Sequence, residues 1–452
     1  MRAHVEDPPA VAENRSCGVR AEYGAVRAWG MVCILSAVLL LSYVDRYALT
    51  VLVGPIKRDL ALSDTQVSVL LGTAFAVVFA LAGPVYGYLV DRYNRRNLVI
   101  SGIVLWTLMT TLSGFAPNFI TLFVCRMGLG IGEAVLTPAA YSMIKDALPE
   151  GRQGRAFGVY LFGSAIGFGA ALVVIGWMSQ LLQGIDLGAI PVLHGRSTWQ
   201  LILVAIGLLG VPAVLLVLAI REPGREPAAA DLSASLADVI AYTAKYRSIF
   251  MPLVAGYAVW GTCIFGYGNW IPTALGRVWN EPATAIGSTY GLITVFAGSL
   301  TILVLSVLLD RAAKRGMARF AAAALGLASI IVAVPTMIAP WGISPLLTWV
   351  CLGINIAFGF GNQLVLTVVL SQVTPNRMMG KLAACTNMAL ILVGFGVGPT
   401  LVAWVSTLFG PASSSLSRAL SMVIGPGWIA FGLLMLLVWI GIRRSDLAAA
   451  RQ

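Results

Sequence analysis

The chain has 452 residues, of which 58 % are hydrophobic and only 11 % charged, with a mean hydropathy of +0.87. A soluble domain carries about 25 % charged residues. The composition therefore excludes a soluble enzyme, a disordered chain and a disulfide-stapled secreted domain. The formal net charge of +11 raises nucleic acid as a partner, so the placement of the charges matters.

Residues 1–28 hold acids, prolines and Cys17 but no apolar core, as expected of a cytoplasmic tail and not of a signal peptide. Apolar runs then recur at 29–54, 66–90, 98–116, 119–144, 154–182 and 199–220. After a polar joint they resume at 249–275, 287–309, 320–339, 345–373, 380–408 and 421–442. A membrane helix needs about 20 mostly apolar residues, so the pattern predicts an all-α polytopic membrane protein with twelve transmembrane helices. The runs lack the two-residue alternation of a membrane barrel. Twenty-three of the 30 lysines and arginines fall in the tails and even-numbered loops, on one side of the membrane. This bias predicts that both termini are cytoplasmic. The net charge thus reads as a topology signal with some attraction to anionic membrane lipids. No nucleic-acid partner is expected.

The joint 221–247 is rich in Ala, Pro, Glu and Arg. Leu232, Leu236, Val239, Ile240 and Ala244 within it have the spacing of a short amphipathic helix on the cytoplasmic face. It divides the chain into a first bundle at 29–220 and a second at 248–443, followed by a tail at 444–452. The two halves repeat. Gly130-Ile131-Gly132-Glu133 matches Gly359-Phe360-Gly361-Asn362, and Pro149-x4-Gly154-Arg155 matches Pro375-x4-Gly380-Lys381. Asp91-Arg92-x-x-Arg95-Arg96 matches Asp310-Arg311-x-x-Lys314-Arg315. Three matches in chain order, each near half the chain length, predict two pseudo-symmetric six-helix bundles with a binding site near the midplane between them.

The loop after the second span reads Gly87-Tyr88-Leu89-Val90-Asp91-Arg92-Tyr93-Asn94-Arg95-Arg96. Gly87 permits close helix approach. Asp91, four residues on, shares its face and can pair with local arginines or cap a helix of the other half. Gly87, Asp91, Arg92, Arg95 and Arg96, with Asp310 and Arg311 in the second copy, are the candidate conformational latch. Ser306 replaces the glycine in that copy.

This loop closely resembles the signature loop of the major facilitator superfamily, and the resemblance covers nearly the whole chain. Over about residues 40–170 the chain also resembles the spinster group. The carrying segments are Tyr43-Val44-Asp45-Arg46-Tyr47, Tyr86 through Arg95, and Arg126-Met127-Gly128-Leu129-Gly130-Ile131-Gly132-Glu133-Ala134. The resemblance implies the major facilitator fold and a transporter of amphipathic lipids such as sphingosine-1-phosphate or lysophospholipids. An anion–cation symporter group shares the Tyr-x-Asp-Arg first span and carries organic acids. Symport of small organic anions therefore stays open, as does drug/proton antiport on the same fold. A multi-pass protein of the bacterial inner membrane, acting as a monomer, is expected.

Ionisable residues deep in spans are functional candidates by default. Here they are Asp45, Arg46, Arg126 and Glu133, all in the first and fourth spans. At 1.5 Å per residue, Asp45 lies ~14 Å and Arg126 ~10 Å from the outer end, with Glu133 at ~20 Å. Asp45 and Arg126 are expected to pair across the cavity, and Glu133, seven residues from Arg126, to lean back toward it. Asp45, Glu133 and Arg126 are thus the candidate proton-coupling set, with the proton as coupling ion and no cofactor. Arg46, Arg126 and Tyr47 are expected to meet an anionic head. Asn269, Trp270, Asn355, Phe358 and Asn362 form the expected amide and aromatic wall of the second half. The glycines of the fifth and eleventh spans, among them Gly163, Gly167, Gly169, Gly394, Gly396 and Gly398, read as packing elements. His4 and His194 lie in tail and loop, so no histidine-based metal or catalytic cluster is expected. Hydrolase and phosphate-loop motifs are absent from the sequence.

Overall fold

A computed structural model describes residues 24–183, 195–225, 235–314, 320–410 and 412–445. Most of the N-terminal tail, His194, the first part of the linker helix, Arg315 and the C-terminal tail fall outside the described residues, as does the side chain of Asp310.

The first half consists of α1 (Ala25–Asp59), α2 (Asp64–Arg92), α3 (Arg95–Ser113), α4 (Phe119–Ala147), α5 (Arg152–Leu182) and α6 (Thr198–Leu218). A short helix, α7 (Leu236–Lys245), lies in the joint where the spacing predicts one; Val239 is buried, but Ile240, expected on the same apolar face, is exposed. The second half holds α8 (Arg247–Trp279), α9 (Ala283–Leu309), α10 (Ala321–Trp341), α11 (Pro345–Val373), α12 (Met378–Thr407) and α13 (Ser415–Arg444). Among the described residues, eleven helices are long and apolar enough to cross a membrane. The predicted third span, α3, is 19 residues long and is not one of them. It opens on Arg95-Arg96 and ends among Thr107, Thr110, Thr111 and Ser113, which lower its hydropathy. Its Val99, Ile103 and Trp106 are nonetheless buried, and it packs on α4 and α6.

Local sequence sets the helix ends. Ser63 and Gln66 form a capping box at the start of α2, and Asn118 accepts from the backbone N–H of Thr121 at the start of α4. Helix α4 breaks between Glu133 and Leu136. Pro138 explains the break: it lacks an N–H, and its ring conflicts with the carbonyl of Ala134. A π-helical turn interrupts α2 at Val69–Thr73, and another interrupts α9 at Thr294–Gly298, 225 residues later. The sequence repeat therefore extends to a backbone irregularity that no motif marked.

Small residues set the closest crossings. Gly163 and Gly167 of α5 lie against the backbone of α1 at Ser36 and Leu40. Gly394 of α12 faces Gly261 of α8. A Cβ at Gly394 would lie 2.5 Å from the Gly261 Cα and 2.7 Å from its carbonyl carbon, both backbone atoms that cannot swing aside. Gly394→Ala is expected to destabilise the second half by about 1–3 kcal/mol, as overpacking does. Thermal unfolding of the purified protein in detergent measures it.

The halves meet along α1 with α8 and α9, α2 with α12, and α5 with α9. Call the end with α7 the linker end and the opposite one the far end. At the far-end side Gly169 touches Gly291, Gly287 touches Val51, and the Thr50 hydroxyl donates to Asn269 Oδ1 at 2.8 Å. At the linker-end side Gly83, Gly87, Gly154, Gly158 and Gly380 face open space. The close glycine contacts between the two bundles thus lie toward the far end, with none at these linker-end glycines.

Candidate functional site: a buried charge cluster between helices 1 and 4

Asp45, Arg46, Arg126 and Glu133 are all buried, at 2, 9, 2 and 2 % exposure. Their pairing differs from the sequence expectation. Glu133 Oε2 accepts from Arg46, from Nη2 at 2.5 Å and from Nε at 3.0 Å. Asp45 forms no ion pair with Arg126. Its Oδ2 accepts a 2.5 Å hydrogen bond from the Thr110 hydroxyl on α3. Arg126 instead donates to backbone carbonyls, from Nη2 to Arg46 at 2.9 Å and from Nε to Leu70 at 3.4 Å. Helical geometry explains the correction. Asp45 and Arg46 are consecutive on α1 and so point about 100° apart. One bonds to α3 and the other to α4, so Asp45 and Arg126 feel each other's charge across space without a direct ion pair. Depth along the axis was legible in the sequence, but azimuth was not.

Two carboxylate oxygens, Asp45 Oδ1 and Glu133 Oε1, are buried without a partner. Burying a charge without full hydrogen bonding costs several kcal/mol per group in typical proteins. Such atoms call for an explanation, and ionisable ones within a membrane span are functional candidates.

The Arg46 guanidinium also lies among three rings, 4.8 Å from Tyr43, 4.6 Å from Phe75 and 5.3 Å from Phe79. Phe75 and Phe79 were missed in the sequence, although both follow the α2 π turn at i and i+4 spacing. On the far-end side an aromatic layer closes the site. Tyr47 packs on Phe168 at 4.5 Å, and Phe395 packs on Phe265 at 4.8 Å and on Phe75 at 5.5 Å. Phe395 leaves α12 from a further π-helical turn, Leu390–Phe395. Tyr47 belongs to this layer, between α5 and α12, and makes no polar contact with Arg46 in this state.

The expected wall in the second half divides. Asn269 is spent on Thr50 and on the Phe265 carbonyl, which joins the halves. Trp270 is fully buried, and its indole N–H donates to the Pro399 carbonyl at 2.8 Å, so it packs α8 against α12 and does not line a cavity. Asn355 donates to the Thr336 hydroxyl inside the second bundle, and Phe358 rests on Trp428. Only Asn362, the counterpart of Glu133, keeps both amide atoms buried and unpartnered. Aromatic and amide groups read as ligand-facing in sequence can equally serve helix packing, and four of these five do.

Among the described residues, the first-half latch loop makes no hydrogen bond or ion pair to the second half. Asp91 is exposed, and its carboxylate has no partner among the described residues. Gly87 faces open space, and Arg92 lies 4.0 Å from the Tyr88 ring. Arg95 is fully buried within the first half, bound to Glu222, to Ser142 and to Asp146. Arg96 donates to the Ile220 carbonyl at 3.3 Å, also within the first half. Arg225, beyond α6, donates to the end carbonyls of α2 at Val90, Asp91 and Tyr93. A cation on the last carbonyls of a helix complements its negative end. Arg95, Arg96 and Arg225 therefore brace the loop against the first bundle and the start of the joint. Arg311 is exposed on its helix.

A sequence profile of the Major Facilitator Superfamily matches residues 35–399. The chain belongs to that superfamily. It is 31 % identical over 294 residues to an MFS-type efflux pump of Mycolicibacterium smegmatis, covering 65 % of each chain. It is 26 % identical over 301 residues to the protein spinster of Drosophila melanogaster, covering 64 % of this chain and 46 % of that one. The chain thus spans between under half and just under two thirds of these relatives. A crystal structure of a bacterial homologue of the human lysosomal transporter Spinster, inward-facing and unoccupied, superposes with a TM-score of 0.75 at 21 % identity. The superposition covers 93 % of this chain and 98 % of that one. The protein is a multi-pass integral membrane protein with the two-bundle fold of this superfamily.

Proposed function

We propose that the protein is a proton-coupled secondary active transporter of an amphipathic, anionic or zwitterionic lipid-like substrate, working by alternating access in a bacterial inner membrane. The observation that carries this reading is the buried cluster on α1 and α4, in which Glu133 and Asp45 each leave one oxygen without a partner. A proton on Glu133 would weaken its hold on Arg46. The freed Arg46 can then meet an anionic head. With the basic linker end on the cytoplasmic side, the end without close glycine contacts between the bundles is the inner one. Closure there would bring Asp91 and the second-half copy of the loop toward each other, engaging the latch.

Drug/proton antiport is the second reading, favoured by the similarity to an efflux pump. Both readings use the same carboxylates. In proteoliposomes, wild-type flux of a single-chain lysolipid is expected to rise with an imposed pH gradient. Glu133→Gln is expected to lose that dependence, with flux down at least tenfold, and Asp45→Asn to weaken it. Gradient dependence undiminished in both variants refutes proton coupling through this cluster. Uptake of a compact dicarboxylate in place of the lysolipid favours the organic-anion alternative.

A further inference from the structure

Arg46 is satisfied more than once. Glu133 neutralises it through two N–H donors. Three rings then stand within 4.6–5.3 Å of its guanidinium carbon, from two helices. Neutralisation alone does not call for the rings, and an arginine needs none of them to hold a carboxylate. Stacked electron-rich faces around a cation are the arrangement that recognises ammonium groups, worth about 0.5–2 kcal/mol each depending on desolvation. Tyr43 and Phe79 are only half-buried, so the box is not sealed inside the bundle. Beside it, Glu133 keeps a buried oxygen without a partner. The π turn Val69–Thr73 directly precedes Phe75 and sets the azimuth at which both phenylalanines leave α2.

We propose that Tyr43, Phe75, Phe79 and Glu133 form a cation subsite that Arg46 fills in the empty protein, and that an ammonium group of the substrate takes its place. The inference rests on the transport reading above and narrows it to a substrate carrying both charges. Removing Arg46 from the box leaves a buried guanidinium in need of an anion. A substrate with an ammonium and an oxyanion a few ångströms apart supplies both partners: its cation goes to the rings and Glu133, its anion to Arg46. Every charge in the exchanged set keeps an opposite neighbour, so the swap by itself moves no net charge into the site. A purely anionic head can only recruit Arg46 at the expense of Glu133, and a purely cationic one strands Arg46.

Two probes separate these cases in the full-length protein reconstituted in nanodiscs: hexadecylphosphocholine and hexadecyl phosphate, which share a chain and a phosphate. Tyr43→Leu and Phe79→Leu keep volume near the wild-type value at half-buried positions. They are expected to weaken binding of hexadecylphosphocholine roughly tenfold and to leave hexadecyl phosphate within about twofold, while Phe79→Trp retains choline-probe binding. Equal loss for both probes would mean that the rings only support the fold and would overturn the subsite. So would no loss for either. If the wild type binds neither probe, both the subsite and the lipid-like reading fall. Ring-dependent binding of the choline probe without any flux driven by a pH gradient upholds the subsite while refuting proton coupling. Intact gradient-driven flux with binding indifferent to the rings does the reverse.

Discussion

Glu133→Ala is expected to destabilise the protein by roughly 3–5 kcal/mol, the range for removing one partner of a buried ion pair. Glu133 holds Arg46 through two donors, and both side chains are almost fully withdrawn from solvent, at 2 and 9 % exposure. Truncating the acid strands a buried guanidinium that cannot shed its charge. The rings of Tyr43, Phe75 and Phe79 soften the loss without supplying a counter-charge. Replacing both members by apolar residues, as in Arg46→Met with Glu133→Leu, is expected to restore most of the stability, since exchanging a buried pair for well-packed apolar groups is often neutral or stabilising. Transport is expected to vanish in both variants. This pattern separates a pair kept for function from one kept for folding. It is checked by thermal unfolding in detergent alongside flux in proteoliposomes. A single variant as stable as wild type would mean that the pair contributes nothing to the fold.

The sequence carried the fold because membrane spans are long, repetitive signals: apolar runs, basic loops and a duplicated loop motif. It also placed the four buried charges on the right helices and at nearby depths. It failed on their partners, since depth follows from counting along one helix while pairing depends on how neighbouring helices are rotated. Asp45 and Arg46 are adjacent in sequence yet reach α3 and α4 respectively. Trp270 and Asn355 misled for a related reason: a polar group in a span needs a partner, and an unseen neighbour such as the Pro399 carbonyl or the Thr336 hydroxyl satisfies it as well as a substrate would. The Phe75–Phe79 box depends on a π turn, which leaves no trace in hydropathy. Arg95, read as part of a latch between halves, proved to be bound by Asp146 of the first bundle and Glu222 of the joint, residues far from it in sequence.

Neutralising Asp64 is expected to shift the protein about tenfold toward a state open at the far end. Asp64 opens α2, and its carboxylate takes Arg277 of α8 in a two-bond fork, from Nη1 at 2.9 Å and Nη2 at 2.8 Å, with Lys57 at 2.7 Å. The Arg277 contact is an ion pair that crosses between the bundles. It stands at a cleft of about 1240 Å³ on the far-end face, lined also by Asp59, Trp199, Thr273 and Glu281. Charge-assisted forks contribute about 1.5–3 kcal/mol when shielded, less where solvent screens them. The partners here are 14 and 29 % exposed, so an effect near 1.4 kcal/mol, a factor of ten, is the appropriate scale. Any opening of the bundles at this end must pull α2 from α8 and therefore break the fork. A cysteine introduced at Thr273 is expected to react about tenfold faster with an impermeant maleimide in Asp64→Asn than in the parent. Exchanging the charges, Asp64→Arg with Arg277→Asp, is expected to bring the rate back, provided Lys57→Gln is added to relieve repulsion from the new arginine. An unchanged rate in Asp64→Asn would mean that the apolar contacts of Gly169, Gly287 and Val51 hold this end shut without it.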